Sequence, residues 1–445
     1  MAKDLTRGEV RPVLWAFTIP MFVSVVFQQL YNIADSAIAG KFAGEKALAA
    51  VGASYPITMI FMAVAIGCNI GCAVVISGYF GAGDIRRMKT AVSTTVIASG
   101  ILAAILTLAG LLLSAPLLRL VHTPQDIFNE GDLYLKIYIA GLLFVFLYNV
   151  ATGIFTSLGD SRTPLYFLIG SSLGNIALDL LFVIVFKWGV AGVGWATFIA
   201  QGAACVLALI TLFRKIVKMP SGRGKIMLYS HSMFQKICRI AVPSILQQSF
   251  VSVGNIFIQS LVNSFGSGVI AGYSAAVKLN TFTITSFTTL GNGLSSFTAQ
   301  NLGGGKPDRV RKGFFAGTAL GWIIAICFFV VFFFFSNEVL HIFMENSTGD
   351  AIRTGTAFLR IVSPFYLVIS IKLIADGMLR GSSAMLYFMT STFTDLILRV
   401  ILAYIFAGFF GSVGIWISWP VGWSVSAVLS LVFYRMEIKK LKLHG

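Results

Sequence analysis

The loop YFGAGDIRR at residues 79–87 returns, altered but still legible, as NLGGGKPDR at 301–309. Gly81 and Gly83 of the first lie over Gly303 and Gly305 of the second, and each loop separates two long apolar stretches. A displacement of 223 residues relates Pro20 to Pro243, Asn32 to Asn255 and Asn69 to Asn292. Farther along, YLKI at 134–137 matches FLRI at 358–361, Gly153 matches Gly377, and GVGW at 192–195 matches SVGI at 412–415. The chain is a duplication divided by its longest polar interval, Arg214 to Arg239. The expected organisation is an N-terminal lobe over 1–213, a basic cytoplasmic linker over 214–236 and a C-terminal lobe over 237–445.

Each copy is built for lipid. Of the 445 residues, 57% are hydrophobic and only 11% charged, against about 25% charged in soluble domains. Crossing the hydrocarbon core takes about 20 apolar residues as a helix. Twelve such windows fall at roughly 12–36, 48–79, 90–118, 133–157, 164–186, 191–213, 237–263, 269–300, 314–335, 354–379, 385–409 and 413–434. The predicted fold is an all-α integral membrane protein of twelve transmembrane helices in two pseudo-symmetric six-helix bundles. Six is even, so both copies keep one orientation. Parallel repeats of this kind, with a site near the membrane midplane, are a device of secondary transporters. No P-loop is present, since the Gly303–Lys306 turn lacks the first glycine and the Ser or Thr. The first residues, MAKDLTRGEVRP, are mixed in charge and lead to no signal-like cleavage site.

A net charge of +16 would suit nucleic acid if the charges were clustered without regard to the apolar windows. They are not. With both termini cytoplasmic, 23 of the 33 Lys and Arg fall in same-side segments, while seven fall on the opposite side: Lys41, Lys46, Arg119, Lys136, Lys187, Arg353 and Arg360. This bias fixes the orientation by the positive-inside rule and argues against a nucleic-acid partner. The five cysteines read as small packing residues, with Cys68 and Cys72 on one helix face. His122, His231, His341 and His444 are expected in loops or at the tail, away from any intramembrane relay. No nucleophile–base set or metal-ligand cluster stands out, so an enzyme is not expected.

Charges inside a membrane are expensive and each needs an account. Lys372 and Asp376 are four residues apart, as are Asp395 and Arg399, so each pair is expected to meet on one helix face. Lys278 is left to snorkel or to pair across helices. In the N-terminal half the stretch LYNIADSAIAG, 30–40, places Asp35 late in the first window, and NIALD, 175–179, places Asp179 in the fifth. Neither has a basic neighbour on an adjacent turn. If the two helices meet, the carboxylates could share one proton or hold one cation, with Asn175 and Thr197 as further oxygen ligands. The repeat partner of LYNIADSAIAG keeps the asparagine as Asn255 but has Ile258 in place of Asp35.

Pro20, LYNIADSAIAG, the loop GDSRTPLYF at 159–167, NIALD and the paired six-helix repeat together resemble the multidrug and toxic compound extrusion (MATE) family over roughly 12–435. The resemblance implies two six-helix lobes around a central cleft and export driven by inward flow of H+ or Na+, with no other cofactor. It implies the branch with an N-lobe cation site, here Asp35, Asn175, Asp179 and Thr197, where Na+ could be held in place of a proton. The branch that uses a Glu in helix seven and an Asp in helix ten is disfavoured, because helix seven has no acid and only Asp376 matches. Expected substrates are amphipathic small molecules, mostly cationic, with Gln28, Gln29, Tyr31, Asn32, Gln247, Gln248 and Asn255 as cleft-lining candidates. The expected setting is the cytoplasmic membrane of a prokaryote, with the protein acting as a monomer. The alternative is a flippase for a lipid-linked saccharide or another lipid of the same superfamily.

Overall fold

The computed structural model describes residues 4–38, 42, 45–220, 225–343 and 349–443, and no strand occurs among them. Lys41, His444 and linker residues 221–224 lie outside the described residues. The helices of the first repeat are α1 (Val10–Ile38), α2 (Glu45–Gly81), α3 (Ile85–Leu120), α4 (Phe128–Ala140), α5 (Leu142–Ser157), α6 (Arg162–Asp179) and α7 (Gly189–Val217). Those of the second are α8 (His231–Asn263), α9 (Ser267–Gly303), α10 (Pro307–Phe334), α11 (Ser336–Phe343), α12 (Gly349–Val362), α13 (Tyr366–Gly381), α14 (Met385–Phe410) and α15 (Ser412–Leu443).

Ten helical stretches among the described residues are long and apolar enough to cross a membrane, and the pair α4 and α5, bent by 46°, makes an eleventh. The twelfth expected window corresponds to α9. At 37 residues it is long enough to cross, and its many Thr, Ser and Asn residues lower its apolar character. Large side chains such as Leu112, Phe213 and Phe409 are more than two-thirds exposed, as lipid-facing residues are. The chain is a multi-pass membrane protein.

Two compact units emerge, and their borders do not coincide with the polar linker. Val23–Ile245 belong to one unit; Leu5–Phe22 and Leu246–Gly445 belong to the other. The borders fall inside α1 and α8, so the lobe limits read from the sequence, 213 and 237, are not where the contacts divide. The polar linker marks the repeat, whereas the change of partners falls inside two continuous helices. In unit 2, the Leu5 N–H donates to Gln300 Oε1 at 3.0 Å and the Trp15 indole donates to the Ala316 carbonyl at 2.9 Å. In unit 1, the start of α8 lies against Gly67 and Gly71 of α2, where added Cβ atoms would strike Ile245 and Ala241. The two borders are themselves 223 residues apart and follow Pro20 and Pro243 closely.

The repeats share their local devices. Gly83 and Gly305 both adopt left-handed backbone, at φ +71° and +67°, and Asp84 then caps α3 by accepting from the Arg87 N–H at 2.9 Å. In unit 1, α5 crosses α2 where a Cβ on Gly153 would lie 3.0 Å from the Asn69 carbonyl oxygen. In unit 2, α13 crosses α9 at Gly377, whose missing side chain admits the Gly291 backbone. The unit 2 core is aromatic: Tyr273 stacks on Trp416 at 5.1 Å, and Phe358 meets Trp416 and Trp419 edge-on.

The intramembrane charges of unit 2 depart in part from expectation. Lys372 and Asp376 form the expected ion pair at 2.7 Å, and Ser430 donates to Asp376 Oδ1 at 2.8 Å. Asp395 and Arg399 do not pair. The guanidinium instead lies over the Trp419 ring, 4.3 Å from its centre, because α15 brings that indole across the side of α14. Arg380 is buried in the last turn of α13, with its guanidinium over the Phe388 ring at 5.2 Å. Lys278 is exposed, consistent with snorkelling. The five cysteines are free thiols. His231 opens α8 and His341 lies within α11, so these two are helical rather than in loops.

Candidate functional site

The acids of the first repeat meet within unit 1. α1 carries Asp35 close to its end, and α6 closes on Asp179, after which the backbone widens into a π-helical turn over Leu180–Val185. Such turns shift the helix register and are frequent at functional sites. Asp179 is fully buried, Asn175 nearly so, and Asp35 partly. The two carboxylates are close enough to interact directly.

Tyr31, one turn before Asp35, reaches the Thr197 side chain and lies within electrostatic range of both acids. The Asn175 amide donates to Thr197 Oγ1 at 3.4 Å. All four residues proposed from the sequence are therefore brought together. Tyr31 had been assigned to the substrate route and also belongs here. Tyr134 on α4 was missed, yet it faces both carboxylates. A signal existed: in the repeat match of YLKI to FLRI, Tyr134 lies over Phe358, so the hydroxyl is peculiar to the first copy.

The electrostatics are one-sided. Asp35 Oδ1, both Asp179 oxygens and Asn175 Oδ1 are buried without a hydrogen-bond donor. No basic side chain pairs with either acid among the described residues. Buried acceptors left in this state are costly. The arrangement is an oxygen-lined acidic cluster able to take up one proton or one small hard cation, whose preferred ligands are oxygens. Among the described residues no group of three or more His, Cys, Asp or Glu converges as a metal cluster. A small pocket bounded by Tyr134, Tyr138, Thr197, Phe198 and Gln201 adjoins the cluster.

The other candidates are placed as follows. On α1, Gln28 and Asn32 are exposed and Gln29 is half-buried; the Asn32 amide donates to Gln29 Oε1 at 3.3 Å. On α8, Gln247 and Gln248 are half-buried and Asn255 is exposed. Gln28, Gln29 and Asn32 belong to unit 1; Gln247, Gln248 and Asn255 belong to unit 2.

The sequence matches the profile of the family described as MatE twice, over residues 20–181 and again over 243–405. The chain belongs to the MatE family. The two matches coincide with the internal repeat, so each unit of this MatE protein holds most of one copy. Among its relatives, a probable multidrug resistance protein of Bacillus subtilis, YpnP, is 29% identical over 98% of this chain and 97% of its own length. An FAD transporter of Shewanella oneidensis is 23% identical over 81% of this chain and 79% of its own. The fold is similar to that of a multidrug resistance MATE family transporter of the MOP superfamily, solved in an outward-facing conformation. That likeness has 23% identity, a TM-score of 0.91 and 98% of each chain covered.

Proposed function

We propose that this MatE protein is a cation-coupled antiporter that exports amphipathic, mostly cationic compounds by alternating access, using H+ or Na+. The carrying observation is the Asp35–Asp179 pair, whose buried oxygens lack donors and lack a basic counter-ion among the described residues. A proton or Na+ entering from outside would neutralise the pair and lower the cost of enclosing it. Asn175 and Thr197 would supply further oxygens, and Tyr31 and Tyr134 would orient the carboxylates. Release of the ion to the cytoplasm would restore the negative charge and reset the site for a cationic substrate. Gln28, Gln29, Asn32, Gln247, Gln248 and Asn255 are proposed to line the substrate route. At about 150 mV one inward charge supplies roughly 3.5 kcal/mol, from about 2.3 per 100 mV, enough to concentrate a neutral substrate a few hundredfold.

The excess of Lys and Arg on one side supports placing both termini in the cytoplasm of a prokaryote. The protein is read as acting as a monomer and not as an enzyme. The test replaces Asp35 by Asn and, separately, Asp179 by Asn, and measures ethidium efflux from energised cells at equal protein levels. Both variants should lose efflux; wild-type rates in both would remove the proposed site. Repeating the assay in proteoliposomes with and without Na+, and with a protonophore, distinguishes the ion.

A second reading, a flippase for a lipid-linked saccharide, gains from one observation. Arg399 lacks the acid partner that the sequence suggested, so the case against an anionic substrate is weaker than composition alone made it. Binding of a lipid-linked oligosaccharide without any ethidium efflux would favour that reading.

A further inference from the structure

Within unit 2, α9 turns one side into the core and leaves the other bare. Gly272, Tyr273, Ala276, Asn280 and Thr283 are buried on the side that packs on α10, α12 and α13. On the opposite side Lys278 and Thr281 are exposed and Ser274 and Thr285 half-buried, at the spacing of one helix face. Asn292 continues this face toward the end of α9, and its Oδ1 has no donor. The 223-residue displacement sets Val51, Tyr55 and Met62 of α2 at the positions of Ser274, Lys278 and Thr285, so the polar face belongs to the second copy.

Exposure alone fits a snorkelling lysine; depth and company do not. Lys278 lies about 16 Å along α9 from Ser267, at about 1.5 Å per residue, which is about half the thickness of the hydrocarbon core. Hydroxyls can face lipid by bonding their own backbone, as Thr288 does to the Ile284 carbonyl at 2.9 Å, but an ammonium has no such recourse. No acid pairs with it among the described residues. Elsewhere in unit 2 the exposed surface at membrane depth is carried by residues such as Ile323, Ile326 and Ile401. The course of α1 explains the opening. A Cβ on Gly293 would strike the Thr18 side chain at 2.6 Å, so α1 lies on α9 there, yet α1 belongs to unit 2 only as far as Phe22. Lys278 is about four turns beyond Gly293 on the same side, where unit 2 leaves it uncovered.

A charged, hydroxyl-lined helix face at this depth belongs against water, and water at this depth is where a substrate travels. We propose that this face of α9 lines the substrate route and that Lys278 sets its charge limit: the substrate that fits is an amphiphile with one positive charge, and one with two is held back. Specificity of this kind comes from a built-in repulsion and not only from an attractive contact. Each positive charge of a substrate meets the same ammonium, so the penalty factor on a dication is about the square of that on a monocation. Ser274, Thr281 and Thr285 keep the wall wet without adding charge. This deepens the exporter reading by naming a substrate class, and it rests on that reading for its physiological use.

The experiment compares efflux of tetraphenylphosphonium, with one charge, and dequalinium, with two, from energised cells at equal protein levels. Wild type should export the monocation in preference. Lys278→Gln should raise monocation efflux by no more than about threefold and dication efflux by about tenfold, whereas Lys278→Arg should keep the wild-type ratio. A ratio unchanged by Lys278→Gln overturns the proposal. A second measurement decides even if the Lys278 variants fail to fold. Thr281→Cys is treated with a charged, membrane-impermeant thiol reagent, and the native Cys327, exposed on α10 beside Ile323 and Ile326, serves as the lipid-facing reference. The thiol at 281 should react at least about tenfold faster than Cys327, because only a wetted thiol forms thiolate readily. Equal rates would put this face of α9 in lipid and overturn the proposal. The two readings fail separately: wild type that exports neither compound counts against the exporter reading, whereas an unchanged ratio or slow labelling counts against this one.

Discussion

Asp35 of α1 and Asp179 of α6 interact directly within unit 1, and neither Asp179 oxygen has a hydrogen-bond donor among the described residues. Two carboxylates in this relation lack a positive charge that a proton or a small cation would provide. If one ion serves both, the two residues form a single functional unit and their losses do not add. The double variant Asp35→Asn/Asp179→Asn should then show the same efflux defect as either single variant, within about twofold. Efflux rates multiplying down across the series would instead mean two independent ion sites.

Residues that complete the cluster should tune the ion without abolishing transport. Asn175→Ala, Thr197→Ala and Tyr134→Phe should each raise the ion concentration needed for half-maximal efflux by about tenfold, as loss of supporting ligands commonly does. Maximal efflux should fall much less. A drop in maximal rate with no change in ion dependence would assign these three residues to packing.

Outside the membrane, Asp160 makes a pH-dependent contribution to stability. Burial works against its charge, but Lys215 and the N–H and hydroxyl of Thr163 outweigh it and hold the carboxyl below the usual range. A depressed folded-state value means that the stabilisation is complete above the unfolded value, about 3.9, and is lost as pH falls through the lower folded value. Thermal melting between pH 7 and pH 3 should show Asp160→Asn less stable by on the order of 2 kcal/mol at neutral pH. The difference should shrink at the acid end, and a gap that stays constant with pH would exclude the ionised pair as its source.

The buried Lys372–Asp376 pair should behave as a matched set. Removing one partner strands a charge in the interior, at a cost of about 3–5 kcal/mol, whereas replacing both by apolar residues is often close to neutral. Asp376→Leu alone should reduce detergent-solubilised stability sharply, and Lys372→Met/Asp376→Leu should recover most of it. If the double variant is stable but has lost ethidium efflux, the pair serves transport as well as the fold.

Much of this was legible in the sequence because its causes are local or periodic. Apolar windows of helical length need no knowledge of neighbours, since a helix satisfies its own backbone hydrogen bonds within the segment. The duplication was readable from Pro20, Asn69 and Gly153 and their copies, because a backbone that bends or approaches closely at one place restricts the residue there in both repeats. Asp35 and Asp179 stood out because a carboxylate in an apolar helix without a partner at helical spacing is conspicuous in one dimension. Partnership across helices was not readable. An i,i+4 rule joined Asp395 to Arg399, but α15 brought Trp419 over the guanidinium, and a side chain takes whichever neighbour the packing presents. The same reason moved the unit borders into α1 and α8, where a helix just past its proline exchanges one set of neighbours for another. Sequence alone determined the helices, their duplication and the isolated acids; tertiary structure decided which buried charges are satisfied, because burial and distance are properties of several helices at once.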